Sequence, residues 1–428
     1  MRKNPLSYTM EVLMSYDSFH DNNRASSAAH RSRASAQARR ERQRKLMIRR
    51  TVIVVVGLLI VTLAIVLVVK LAKAMFGGDG GNNGGNNGVI SETVKNPFGD
   101  LTPTTEGETA EPTEAPTESP LSFKTPAIHD DGVTTGQFSY ANRGVYIYDG
   151  MSCELFGWYD GSAADYCDAI SEFKKLAPEF TVYNMIVPNH TEFALPRRLI
   201  DTVGTMIQSE NIKAIYSGYS ADVQPINCYN KLCDHISEYI YFNTDHHWSG
   251  LGAYYAYTAF CEQTGQTALK LSDCTQHTIT DFEGTLYDSE LNYSKDTVYW
   301  WQFPYDTHAM RQDSAGESLY RTTVFYEQED SGPYSYGVFI WGDAPLFVCY
   351  NDELNNGKKI AVVKESYGNA FAPFLTANYE EVHVIDFRYF EGSLKQYMKD
   401  NGIDEVIFVN NVMSANTAIQ VDRIRGIF

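Results

Sequence analysis

The chain has no CxxC unit and no His/Cys series at metal-ligand spacing, so neither a zinc framework nor any other metal or cofactor is expected. Its seven cysteines, at 153, 167, 228, 233, 261, 274 and 349, are odd in number and irregular in spacing. That pattern points to buried thiols with at most one or two bridges. Cations are scarce after residue 50. The first fifty residues hold twelve Lys/Arg against four Asp/Glu, yet the whole chain stands at −18, so everything downstream is strongly acidic. Phosphates would be repelled there, which excludes a nucleic-acid partner. No internal repeat recurs, so a repeat array is excluded as well. Only one apolar run is long.

That run, 51–69, reads TVIVVVGLLIVTLAIVLVV without a charge. At 1.5 Å per helical residue it covers about 28 Å, close to the hydrocarbon thickness of a bilayer. Arg39, Arg40, Arg42, Arg44, Lys45, Arg49 and Arg50 precede it, and such flanks stay cytoplasmic. A cleaved signal peptide is the rival reading, because Ala72-Lys73-Ala74 has a small-x-small pattern, but the apolar core exceeds the usual length. The sequence therefore divides into a basic cytoplasmic tail over 1–50, a transmembrane helix over 51–71, a linker over 72–132 and an extracellular domain over 133–428. The linker combines GGDGGNNGGNNG with a Pro/Thr/Glu stalk, compositions that bury nothing and stay flexible or extended.

Within the domain, the apolar runs at 180–188, 358–363, 381–386 and 405–411 are short, bounded by turn residues and hardly alternating. Strands covered on both faces look like this. Helical patterns at 163–176, 251–261, 369–375 and 393–401 lie between them. The alternation of strand and helix predicts a three-layer α/β domain with a mostly parallel sheet and right-handed crossovers.

Two stretches carry candidate chemistry. In NTDHHWSGLG, from Asn243, an extended backbone would put Asp245 and His247 on one face and His246 and Trp248 on the other. Asp245 is then placed to orient His247. In KKIAVVKESYGNAF, from Lys358, Ser366 follows a buried strand by three residues and precedes a short helix. That location is the ligand-binding edge of an α/β sheet, next to the unpaired N–H groups of a helix start. A serine needs a neutral imidazole to take its proton, and the imidazole needs a partner to set its tautomer. Ser366, His247 and Asp245 would together meet that need. A metal reading of the Asp-His cluster lacks a third and fourth ligand at sensible spacing. Tyr367, Gly368 and Asn369 are candidates for the oxyanion and substrate, Gly368 through close backbone approach and Asn369 through its amide. Trp248 and Arg388 join them as substrate-binding candidates, although a salt bridge to Asp386 would equally explain Arg388. His190 reads as a loop histidine.

The stretch YFNTDHHWSGLGAYYAY, together with GVYIYDGMSCELFG, VYNMIVPNHTEFALP, DFEGTLYDS, KESYGNAFAPFLTANYEEVHVIDFRYF and DEVIFVNN in that order, resembles the DHHW family of bacterial membrane-anchored extracellular proteins. That family is similar to the SGNH-hydrolase-like proteins of alginate O-acetylation, in which a D-x-H motif precedes a serine nucleophile. The resemblance implies an SGNH-hydrolase-like fold with Asp245 as orienting acid, His247 as base and Ser366 as nucleophile. It assigns no role to His246. Two positions depart from the family's pattern: Asn243 stands where members often carry Arg, and Glu365 where they often carry Asp.

The expected function is O-acetyl transfer to a cell-envelope or secreted polysaccharide through an acyl-serine, with a polytopic membrane acyltransferase as the acyl donor. An esterase with the same residues is the alternative. A non-catalytic, membrane-tethered protein that binds glycan or assembles other proteins is the third reading, with the Asp-His pair as a structural lock.

Overall fold

In the chain's computed structural model, residues 119–292, 294–326 and 335–428 are described. Folded contacts begin earlier than the composition suggests. Phe123 sets its ring edge-on to Tyr229 at 5.4 Å, and the Asn227 amide donates to the carbonyls of Pro120 and Ser122. One aromatic ring is enough to tie the end of the expected linker to the core.

Strands β1 (Gln137–Phe138), β2 (Val145–Tyr148) and β3 (Met151–Glu154) form a small antiparallel sheet. The helix Asp160–Leu176 leads into β4 (Thr181–Val187), and the helix Gln208–Ser217 leads into β5 (Val223–Pro225). After the helix Gly250–Gln263, β6 (Thr275–Phe282) and β7 (Asp296–Gln302) make a two-stranded ribbon. Then come β8 (Thr307–Gln312), β9 (Tyr320–Thr322), β10 (Leu346–Asn351), β11 (Lys359–Lys364), β12 (Glu381–Asp386) and β13 (Glu405–Asn411).

The main sheet has the order β5-β4-β13-β11-β12-β10-β8-β9. Its two faces separate residue by residue, because neighbours along a strand point to opposite sides. On β4, Tyr183 meets Phe260 of the helix Gly250–Gln263, while Asn184 donates to the Tyr166 hydroxyl of the helix Asp160–Leu176. Helices thus cover both faces, giving three layers. The predicted strands at 381–386 and 405–411 have those bounds, and the other two differ by one residue at either end.

The expectation of a mostly parallel sheet is corrected, because the sheet is mixed. Pairings from β5 to β12 are parallel, whereas β12 with β10, β10 with β8 and β8 with β9 are antiparallel. The reason lies in the connections. A parallel return needs a crossover of a dozen or more residues, usually helical. The loops at 313–319 and 352–358 are too short for that, so each strand must re-enter the sheet from the end at which the previous one left.

The expected single-pass membrane localisation is corrected too: among the described residues no helix is long and apolar enough to cross a membrane. The segment 51–71 on which that expectation rested lies outside the described residues, as do the tail and the linker up to 118. All seven cysteines are free, and six are buried.

Candidate active site

Asp245 and His247 sit in an irregular bend just before the helix Gly250–Gln263, not in an extended strand. Asp296, at the start of β7, holds the bend in place. Its carboxylate accepts the N–H of Asn243 at 2.9 Å, the N–H of Thr244 at 2.7 Å and the Thr244 hydroxyl at 2.6 Å. Ser249 caps the helix by accepting from the Gly252 N–H. Asp245 and His247 meet as expected, but because the backbone bends, the expected sharing of a face by His246 and Trp248 fails. His246 lies against His247 with ring centroids 3.8 Å apart, whereas Trp248 turns into the core.

The Asp245 carboxylate is buried and fully used. Oδ1 accepts the backbone N–H of His247 at 3.0 Å and its Nδ1 at 2.5 Å, while Oδ2 accepts the N–H of Thr285 at 2.7 Å and its hydroxyl at 3.0 Å. Burial works to raise its pKa, but the His247 charge and hydrogen bond outweigh this and hold the carboxyl well below the usual range. With Nδ1–H bound to Asp245, Nε2 of His247 is left as an acceptor. Ser366 Oγ lies 2.7 Å from it, across 119 residues of chain. The Tyr336 ring stacks on the imidazole at 3.9 Å and 9°, and its hydroxyl donates to the Ser366 carbonyl.

Ser366 is held from the β11 side. Glu365, buried beside it, accepts the Asn411 N–H at 2.7 Å and the Tyr367 N–H at 3.1 Å, which ties the Ser366 turn to the end of β13. Burial raises the Glu365 carboxyl, and those two N–H groups oppose the rise. Below the turn, Lys364 and Arg388 share the carboxylates of Asp386 and Asp343. Lys364 Nζ is 2.9 Å from Asp386 and 3.2 Å from Asp343, and the Arg388 guanidinium is 2.6 and 2.7 Å from the same two residues. Burial would raise the Asp343 pKa, but Lys364 and then Arg388 hold it well below the carboxylate range.

The remaining predicted residues separate. Trp248 is fully buried, and its indole N–H donates to the Tyr367 carbonyl, so it supports the turn from below. Tyr367 is buried, with its N–H on Glu365 and its hydroxyl on the His246 carbonyl. Gly368 faces protein, not ligand: a Cβ there would lie 2.4 Å from Lys364 Cβ. Asn369 does line the cleft, but its amide donates to Asp343. Arg388 also lines it, and its salt bridge to Asp386 forms. His190 is absent from this cleft's lining and faces another hollow.

The cleft itself is open, about 470 Å³, and brings Ser366, His247, Tyr336, Trp341, Asn369 and Arg388 together. Thr285, Tyr336, Asp343 and Glu365 were not among the residues predicted to build the site. Thr285 lies in the block DFEGTLYDS, whose residues alone show no chemistry. Its preceding Gly284 is the available signal, since a Cβ there would lie 2.3 Å from the Thr244 carbonyl oxygen. Gly284→Ala is therefore expected to cost about 1–3 kcal/mol and to pull Thr285 off Asp245. Thermal melting paired with a turnover assay checks this.

Asp245, His246 and His247 each present a ligand atom within 4.8 Å of the others, the one such cluster among the described residues. Their donors are engaged: Asp245 Oδ1 shares a proton with His247 Nδ1, and His246 Nδ1 is 2.6 Å from the Thr285 hydroxyl. A cation bound through Asp245 Oδ1 and His246 Nδ1 would have to break both contacts. Burial and then the neighbouring His247 hold His246 below the ordinary histidine range.

His190 stacks on Tyr241 at 5.3 Å and 8°, and its Nδ1 has no partner. Burial pushes its pKa down to about 4. The unfolded chain, with a histidine near its ordinary value of about 6.5, takes up a proton first as pH falls. This contribution to stability is therefore complete above about pH 6.5 and is lost as pH falls toward 4. His190→Phe is expected to flatten the stability slope across that window, as read by urea unfolding at several pH values.

Comparison with known proteins adds three findings. The DHHW protein family matches residues 131–385. A crystal structure of a DHHW family protein from Eubacterium siraeum is 30% identical, covering 68% of this chain and 98% of its own, with a TM-score of 0.61. Bacillus cereus PatB1, solved with a sulfonyl adduct, is 20% identical over 64% of this chain and 97% of its own, with a TM-score of 0.55. The last likeness is one of fold alone. No curated protein matches.

Proposed function

Because this chain belongs to the DHHW family, and because its site joins an acid, an imidazole and a serine, we propose that it is a serine acyl-transfer enzyme acting on a polysaccharide. Its nucleophile is Ser366, its base His247 and its orienting acid Asp245. The observation that carries the reading is the 2.7 Å contact between Ser366 Oγ and His247 Nε2.

In the first half-reaction the Ser366 hydroxyl passes its proton to Nε2 as Oγ bonds to the acyl carbon. Asp245 holds the imidazole and its growing positive charge. The oxyanion is taken by the Ser366 N–H, which meets no acceptor among the described residues, and by the second N–H of the Asn369 amide, whose first goes to Asp343. His247 returns the proton to the departing oxygen. In the second half a sugar hydroxyl gives its proton to Nε2 and its oxygen bonds to the acyl carbon; the C–Oγ bond then breaks, His247 returns the proton to Ser366 Oγ, and an O-acyl sugar leaves. If water takes the sugar's place the enzyme is an esterase. The Tyr and Trp rings around the cleft favour the sugar.

The test is chemical. The protein is incubated with an aryl sulfonyl fluoride or an activated acetyl ester and digested for mass spectrometry. An adduct is expected on Ser366 in the native chain and on no residue of Ser366→Ala. Absence of the adduct from the native chain would remove the nucleophile assignment. The sulfonyl reagent is suggested by the adduct known for Bacillus cereus PatB1.

A further inference from the structure

The loop that carries Trp341 into the cleft is strained and firmly held. Ile340 and Trp341 have φ of 48° and 61°. For a β-branched and a bulky residue this is the sterically costly left-handed region, which persists only where the surroundings impose it. Arg311, on β8, imposes it. Its guanidinium donates to the carbonyls of Ile340 at 3.2 Å, Trp341 at 3.0 Å and Asp343 at 3.4 Å. The Trp341 indole N–H donates to the Thr323 carbonyl, which fixes the ring's orientation. Tyr326, 40% exposed, backs the indole with ring centroids 4.2 Å apart. A large aromatic face is thus held partly open on the wall of the cleft that contains Ser366, at the expense of backbone strain.

That cleft does not end at the nucleophile. Asp343 and Arg388 line both it and a second hollow of about 490 Å³, which is edged by Asp313, Tyr389 and Glu391. The Asp343–Arg388 pair thus walls both hollows, and their combined volume exceeds what a single sugar ring fills. Charge narrows the class of sugar. Among the described residues, and apart from the two imidazoles, Arg388 is the one cation lining either hollow, and it is already bound by Asp386 and Asp343. Of the wall carboxylates, Asp313 pairs with Arg311, Asp343 with Lys364 and Arg388, and Asp245 with His247, which leaves Glu391 without an ion-pair partner among the described residues. A carboxylate on each sugar would face Glu391 and find no unengaged guanidinium or ammonium.

We propose that Trp341, backed by Tyr326, is the platform on which a ring of the acceptor glycan stacks, and that the groove accepts uncharged sugar polymers over polyuronates. This rests on the reading of Ser366 as an acyl-transfer nucleophile only in calling the glycan an acceptor. Binding to the platform is separate from chemistry at the serine. Aromatic rings suit a pyranose because its C–H face is apolar while its hydroxyl rim stays wet.

The experiment titrates the full chain with tetramers of glucose, mannose, galactose and N-acetylglucosamine, and with tetramers of galacturonate and mannuronate, read by calorimetry or saturation-transfer NMR. At least one neutral tetramer is expected to bind more tightly than either uronate, and Trp341→Leu to weaken it about tenfold. Trp341→Phe keeps a ring and is expected to retain most of the binding. If Trp341→Leu melts early, Tyr326→Ala replaces it, with about threefold weakening expected. Uronates binding as well as every neutral tetramer, no neutral tetramer binding, or unchanged affinity in these variants overturns the proposal. Labelling of Ser366 is measured on the same preparation. Neutral-glycan binding that depends on Trp341 without any Ser366 adduct would sink the acyl-transfer reading and uphold the platform.

Discussion

Asp245→Asn is expected to lower turnover by about 10⁴-fold while leaving KM for an activated ester within a few-fold. The reason is a mismatch of donors. All four groups on the Asp245 carboxylate give protons: the N–H and Nδ1–H of His247 on one oxygen, and the N–H and hydroxyl of Thr285 on the other. An asparagine has one acceptor oxygen, so whichever way the amide turns, its NH₂ faces two donors. If it faces His247, the imidazole shifts its proton to Nε2 and presents N–H to Ser366. The serine then has nowhere to send its own proton. If it faces Thr285, the segment containing Gly284 is pushed from the bend. A thermal melt separates the two: turnover lost in a chain that melts within a few degrees of the native one indicates the tautomer, and a wholesale loss of stability indicates a lock. Retained turnover would show that Asp245 does not orient the base.

Asp386→Ala is expected to destabilise the domain by about 3–5 kcal/mol, read by urea unfolding at neutral pH. Asp386 is fully buried at the C-terminal end of β12, where it accepts from Lys364, from the Arg388 guanidinium and from the Arg388 N–H. Without it, two cations share the single carboxylate of Asp343, and Lys364 sits with its side chain only 1% exposed. Replacing Lys364 as well, in Asp386→Leu with Lys364→Met, is expected to recover more than half of the loss. Apolar groups of similar size relieve the uncompensated charge, leaving Arg388 with Asp343. A single variant as stable as the native chain would show that the cluster is held by something other than charge balance. Asp343 also receives the Asn369 amide, so the network under the Ser366 turn links sheet stability to the cleft.

Much of the framework is legible along the chain because it is written in local terms. An apolar run of strand length bounded by turn residues becomes a buried strand, and 381–386 and 405–411 do so with the bounds their composition suggests. A serine three residues past such a strand falls at the edge of the sheet. An acid two residues before a histidine is within reach of its Nδ1 in a bend as well as in a strand, so that pairing survived the wrong local geometry. His246 did not, because its direction depends on a bend that Asp296 imposes from 50 residues away.

The long-range decisions were made elsewhere. LFVCYN in β10 is as apolar as any parallel strand, and its direction follows from a short loop rather than from its residues. The contacts that Trp248, Tyr367 and Gly368 make are set by what packs over the turn, so residues beside Ser366 support it from within the protein while Tyr336 and Trp341 reach the cleft from a distant loop. Composition, periodicity and short-range spacing therefore marked the candidate residues and the four strands at the centre of the sheet. Folding alone decided the mixed sheet, the charge network and the aromatic wall, since each depends on contacts between residues whose separation along the chain leaves no periodic trace.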